Sequence, residues 1–234
     1  MKRIIKISLI LLLVGMAVIA AVPFFKEKRA ERKYENEFKK IQESVTEKKS
    51  DVNGLVKKNK DCIGYVEIQG TTISYPVMQT KDNPDFYLNH DFNRNYSFYG
   101  TPYLSAYCDV EKSDNLIIYG HNINGGKMFG ALEQYKDKEF FYKHRKIYFT
   151  TDKKREYEVF AVMSVNIHKF EYWKFVMARD EKEYDEFVDK VEEHSLWRQE
   201  NKPKYGEQML MLSTCDNGKG DDWRIVLIAK CVYS

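Results

Sequence analysis

The sequence predicts a mainly β domain, built as an antiparallel sheet or closed barrel, with helices inserted between strands. Three observations predict it. Short runs rich in β-branched and aromatic residues recur between Gly-, Asn- and Asp-marked turns. Strands and helices do not alternate in the regular rhythm of a parallel α/β sheet. One strongly amphipathic helix stands late in the chain, between two apolar runs.

The chain has 234 residues, which fits one domain plus an anchor or tail. With 43% apolar and 15% aromatic residues it can fill a sizeable core, so collagen-like and wholly disordered classes are excluded. The net charge of +3 is spread over many charges of both signs. It forms no basic stripe with interleaved aromatics, so no nucleic-acid partner is expected.

The elements follow in order. Residues 1–6 carry Lys2, Arg3 and Lys6 and read as a cytoplasmic N-terminus. Ile7 to Phe25 is an uncharged run of 19 residues, long enough to cross a bilayer as a helix. It reads as a transmembrane signal-anchor; a cleaved signal peptide is the alternative. The rest of the chain would then be extracellular, on a single-pass protein of the cell membrane. Residues 26–62 are strongly charged, with Tyr34, Phe38, Ile41 and Val45 at helical steps, and read as a helical extension. From Ile63 the texture alternates: IGYVEIQGTTISYPVMQ reads as strand, turn at Gln69-Gly70, and strand.

Asp82 to Asn95 is loop-like with room for one helical turn, and Thr101 to Tyr107 reads as a strand. Asp114 to Tyr119 is a short apolar strand that stops at Gly120-His121, where the glycine should relax the backbone as the chain turns. Lys127 to Tyr135 reads as a helix, and Lys146–Thr151 with Glu156–Val165 as a hairpin. Asp180 to Trp197 is the best helix: Tyr184, Phe187, Val188 and Val191 share a face, and acids crowd the first turn. Gln208–Ser213 and Trp223–Val232 are the last strands.

Chemistry concentrates at strand ends. An apolar run closes on Ser213-Thr214-Cys215, and Arg224 opens the next strand. A cysteine at the rim of a sheet meets solvent while its backbone is held rigidly. A nearby cation or histidine raises the thiolate fraction of a thiol. Arginine keeps its charge and offers a fixed fork of donors suited to an oxyanion. His121 also follows an apolar strand, so Cys215, His121 and Arg224 form a candidate set for nucleophilic catalysis. Position alone leaves other readings open: Cys215 as a core or disulfide cysteine, His121 as a turn residue, Arg224 as an ion-paired surface group. Cys62, Cys108 and Cys231 show no metal-ligand spacing and read as small core residues, although two disulfides are open to an outward-facing domain.

LSTCD followed by WRIVLIAK resembles the signature of the sortase family, a Thr-Cys pair followed by an Arg that opens a strand. YGHN resembles the family's histidine motif, and IGYVEIQGTTISYPV its first hairpin. The order and the spacing of nine residues from Cys215 to Arg224 agree with it. The resemblance spans residues 63–234 and implies a closed eight-stranded β-barrel as catalytic domain. The charged extension, the late helix, KDNPDFYLNHDF and GKMFGALEQY are similar to class B members. Met211 departs from the pattern, which often has Thr there.

The resemblance implies a cysteine transpeptidase with Cys215 as nucleophile, His121 as acid/base and Arg224 as oxyanion stabiliser. Asn83, Leu88, Tyr119, Tyr172, Trp173, Ser213 and Asp216 are then expected to line the substrate groove. The implied partners are secreted proteins with a C-terminal sorting signal, cut after Thr. The implied amine acceptor is peptidoglycan or its lipid-linked precursor. No metal and no cofactor are expected. A pilus-building sortase, an L,D-transpeptidase or secreted cysteine protease, and a non-enzymatic binding module are the rival readings.

Overall fold

In the computed structural model, the described residues are 15–16, 18–26, 28–29, 32–33, 35–36, 39 and 52–233. Those between 15 and 39 are helical. Most of the expected anchor's first half, residues 7–14, lies outside the described residues, as does residue 17. Among the described residues, no helix is both long and apolar enough to cross a membrane. Among the described residues, 52–233 pack as a compact unit of their own.

That unit opens with α1 (Val52–Lys58), which buries Val52 and Leu55 and packs on β1 (Cys62–Ile68). β1 pairs antiparallel with β2 (Ser74–Met78), as the alternation predicts. The turn between them passes through Gly70 at φ +77, a left-handed conformation that favours glycine. A loop with one 3-10 turn (Phe86–Leu88) leads to β3 (Tyr103–Leu104), much shorter than the predicted strand. β4 (Asn115–Tyr119) follows, then a small ribbon of β5 (Asn122–Ile123) and β6 (Lys127–Met128).

The helix predicted over Lys127–Tyr135 is instead this ribbon strand followed by a 3-10 helix, Gly130–Lys136. Gly125 and Gly126, both at positive φ, turn the chain back and force the ribbon. α2 (Lys138–Lys143) follows, N-capped by the Asp137 side chain. β7 (Lys146–Thr150) and β8 (Lys154–Asn166) form the predicted hairpin. α3 (Glu181–His194) is capped by Asp180 and buries Tyr184, Phe187, Val188 and Val191 on one face. It ends before the predicted Trp197, because Ser195–Arg198 (β9) pairs with the second half of β8. β10 (Met209–Cys215) and β11 (Trp223–Tyr233) complete the chain.

The sheet order is β11-β10-β4-β3-β2-β1-β7-β8, and β11 pairs back onto β8 to close an eight-stranded barrel; β9 extends the free part of β8. Most pairings are antiparallel, as the sequence implies. The exceptions matter for the site: β2–β3 and β4–β10 run parallel. Every residue of β10 is buried except its last, Cys215. The core side chains of β10 and β11, including Leu210, Leu212, Leu227 and Ile228, are fully shielded. Each contributes roughly 1.5–3 kcal/mol by leaving water. The nucleophile candidate therefore ends one of the most rigidly held strands. Met211 belongs to that interior, and its sulfur accepts Asn115 Nδ2 at 3.5 Å, so the departure from Thr is absorbed by packing.

Candidate active site

The parallel pairing of β4 with β10 sends both strands out of the barrel at the same rim. Tyr119 is the register partner of Ser213, so His121 and Cys215 each stand two residues beyond a paired rung. The alignment persists past the strand end. Gly120 N donates to Ser213 O at 3.1 Å, and Thr214 Oγ1 donates to Gly120 O at 2.7 Å. Antiparallel β11 begins at that rim, and Cys215 is the direct register partner of Arg224. One parallel and one antiparallel ladder thus bring together three residues far apart in the sequence.

Gly120 does not take a positive φ, contrary to the expected backbone relaxation. It is required by close approach: a Cβ there would stand 2.8 Å from the Phe129 ring. The residue type read from the sequence is right and its reason is packing.

Cys215 is a free, half-buried thiol, and its carbonyl accepts Asn122 Nδ2 at 2.7 Å. All four cysteines are free. Cys62 and Cys108 are core residues, as expected, whereas Cys231 is half-buried. Burial pushes the Cys62 thiol up to about 12 and raises the Cys108 thiol as well.

His121 Nε2 lies 2.8 Å from Leu88 O. A carbonyl only accepts, so Nε2 carries a proton in this arrangement. The Phe98 ring lies parallel to the imidazole, centroids 6.5 Å apart, and is itself 70% exposed. The loop also crosses Leu88 O closely at Gly100, where φ is +59 and a Cβ would stand 2.4 Å from that oxygen. Among the described residues no hydrogen bond joins the Cys215 thiol to the imidazole.

Arg224 Nη1 donates to Asp221 O at 2.5 Å and Trp223 O at 2.9 Å. These bonds fix the guanidinium at the rim. Nε and Nη2 take no acceptor among the described residues, so donors of the fork remain for a substrate oxygen.

The expected groove residues fall into two groups. Tyr119, Ser213, Tyr172 and Leu88 gather around the rim. Tyr172, on a 3-10 turn between β8 and α3, is buried and shares a hydrogen bond of 2.7 Å with Ser213. Burial pushes its hydroxyl up to about 12, although the Ser213 bond and Arg224 act the other way. Trp173 sits edge-on to Tyr172 with centroids 5.7 Å apart. The Tyr119 ring lies 5.5 Å from that of Tyr103, whose hydroxyl donates to Asp85 Oδ1 at 3.0 Å.

Asn83 and Asp216 stand apart from this cluster. Asn83 is exposed on the β2–β3 loop. Asp216 has no exposed surface; its carboxylate takes Lys136 Nζ at 2.6 Å and Ser164 Oγ at 2.5 Å. Its oxygens are occupied inside the fold. Tyr103, Asp85, Phe98 and Asn122 are neighbours of the site that sequence reasoning passed over. Only Asn122 carried a signal, as the residue after His121 in YGHN.

The described residues hold no cluster of three or more His, Cys, Asp or Glu able to ligate a metal. The arrangement offers a thiol, an imidazole and a guanidinium at one barrel rim, a set suited to acyl transfer through a thioester.

Comparison with known proteins points to one family. The sortase domain family matches residues 66–232. The chain is 29% identical over 242 residues to Sortase B of Staphylococcus aureus, covering 99% of this chain and 98% of that protein. It is 31% identical over 189 residues to Sortase B of Listeria monocytogenes, covering 80% of this chain and 76% of that one. The solved Staphylococcus aureus sortase B-substrate complex superposes with a TM-score of 0.78 at 27% identity, over 89% of this chain and 99% of that one.

Proposed function

The chain belongs to the sortase family, and we propose that Cys215, His121 and Arg224 carry out its reaction. It is a cysteine transpeptidase of cell-wall protein sorting, similar to sortase B proteins.

The supporting observation is the shared rim. Cys215 and Arg224 are register partners, and His121 emerges from the parallel neighbour of the same strand. The Cys215 thiol gives its proton to His121, and the thiolate attacks the carbonyl carbon of a Thr in the sorting motif of a secreted protein. Arg224 donates to the developing oxyanion. His121 protonates the leaving amine, and a thioester between Thr and Cys215 remains. With Nε2 donating to Leu88, Nδ1 is the ring nitrogen left to move this proton. An amine of peptidoglycan or its lipid-linked precursor then attacks the thioester, His121 takes its proton, and a new amide replaces the thioester. No step calls for a metal or cofactor.

The sorting peptide is read as lying along Leu88, Tyr119 and Trp173, over the buried Tyr172–Ser213 pair, with Asn83 as an exposed residue of the neighbouring loop. The apolar run at residues 7–25 supports a membrane anchor that leaves residues 63–234 outside the cell as catalytic domain, and residues 26–62 as the connecting extension.

The test is a ligation assay. Peptides with Thr before the scissile bond are incubated with the chain, with and without a glycyl or diaminopimelyl acceptor, and products are weighed by mass spectrometry. Slow hydrolysis alone and a ligated product with acceptor are expected. Fast hydrolysis with no acceptor in any product would make the protein a protease.

A further inference from the structure

Asn122 follows His121 directly and opens β5. Its Nδ2 donates twice: to Glu133 Oε1 at 2.8 Å and to the Cys215 carbonyl at 2.7 Å. The other Glu133 oxygen meets Lys136 Nζ at 2.7 Å. Lys136 Nζ in turn meets Asp216 Oδ1 at 2.6 Å. Asp216 is bonded to Cys215 along the chain, so the contacts close into a ring that passes through the carbonyl of the nucleophile. Ser164 Oγ ties the ring to β8 through the other Asp216 oxygen at 2.5 Å.

We propose that Asn122 is a positioning residue for transpeptidation, holding the Cys215 and His121 strand ends at a fixed separation through this ring. The proposal rests on Cys215 and His121 being nucleophile and acid/base. An amide suits the place because one nitrogen carries two donors and both acceptors are oxygens. Aspartate would offer no donor and would set a third carboxylate beside Glu133. The ring also explains why Asp216 is buried beside the thiol: Lys136 balances its charge, and Ser164 satisfies the remaining oxygen.

A strap that only stabilised the fold would affect unfolding and leave turnover per folded molecule alone. A strap that sets geometry affects the chemical step, since a misplacement of about 1 Å costs about 100-fold in rate. The full-length chain is assayed for kcat and KM on the best-cleaved member of a Thr-containing peptide library, with thermal unfolding of each variant alongside. Asn122→Ala and Glu133→Ala are expected to lower kcat about 10- to 100-fold while KM stays within about twofold. Glu133→Gln keeps an acceptor oxygen for Asn122 and should recover most of the lost kcat.

Should Asn122→Ala lose its fold, Asn122→Asp is read by the same criteria. A folded Asn122 variant whose kcat stays within about twofold of the parent overturns the proposal, as does a loss that merely tracks the unfolded fraction. Cys215→Ala separates the two layers. If it is inert while Asn122→Ala runs at the parent rate, only the positioning role fails. If it turns over, the assignment of the nucleophile fails first.

Discussion

Cys215 and Arg224 face each other as the last register pair of the β10–β11 ladder. A cross-strand pair on one face holds its Cβ atoms about 5 Å apart. The guanidinium is therefore carried by backbone pairing, and its Nη1 bonds to Asp221 O and Trp223 O fix its direction. Lysine has a single point of charge and no fork. Arg224→Lys is expected to lower kcat about 100- to 1000-fold with an unchanged circular dichroism spectrum. Steady-state kinetics on a sorting peptide check it.

Thiol labelling should separate Cys215 from the two core cysteines, Cys62 and Cys108. Burial pushes Cys62 up to about 12 and raises Cys108, so neither offers thiolate at neutral pH. Cys215 is half-exposed at the rim. Brief treatment with iodoacetamide at neutral pH, followed by peptide mapping, should modify Cys215 ahead of Cys62 and Cys108 and abolish turnover. Cys62 and Cys108 should react only after denaturation.

The Asp216–Lys136 contact gives the fold a defined acid limit. Burial raises the Asp216 carboxyl, but the bonds from Lys136 and Ser164 outweigh it and hold the group below its ordinary 3.8. A depressed value in the folded state means that the unfolded chain takes up the proton first. The stability from this group is complete above the unfolded value and is lost as pH falls through the folded one, below 3.8. Urea midpoints should show Asp216→Asn less stable than the parent at neutral pH, with the gap closing below that value. Lys136→Met should cost about 2–3 kcal/mol at neutral pH, less than a wholly buried pair because the lysine is partly solvated.

Tyr172 and Ser213 make a buried hydroxyl pair next to the rim that carries Cys215. Tyr172→Phe leaves the Ser213 hydroxyl without that partner. It should lower stability by about 1–2 kcal/mol in thermal unfolding. The double variant with Ser213→Ala should recover part of the loss, because both polar groups are then removed.

Cys215, His121 and Arg224, the residues proposed to react, are legible in the sequence because each closes or opens an apolar run. What it did not expose was how the runs meet. β4 and β10 lie about ninety positions apart, and nothing local says that they pair in parallel. Asp216 is legible as the residue after Cys215, but its burial depends on Lys136, 80 positions away, and nothing in the local sequence says that the two meet. The helical pattern continues through Trp197, but the free edge of β8 captures that segment as β9. Gly120 was expected to bend the chain, and the Phe129 ring that requires it belongs to a loop whose course depends on two later glycines. Local pattern carried the strand ends, and tertiary pairing carried the site.

The most direct measurement is acid-quench mapping of the covalent intermediate. The chain is mixed with Thr-containing sorting peptides without an amine acceptor, quenched, digested and weighed. The account predicts an acyl mass, ending in Thr, on the peptide that carries Cys215; the mass should vanish when acceptor amine is added and be absent in Cys215→Ala. An acyl group on any other residue, or turnover by Cys215→Ala, would contradict it.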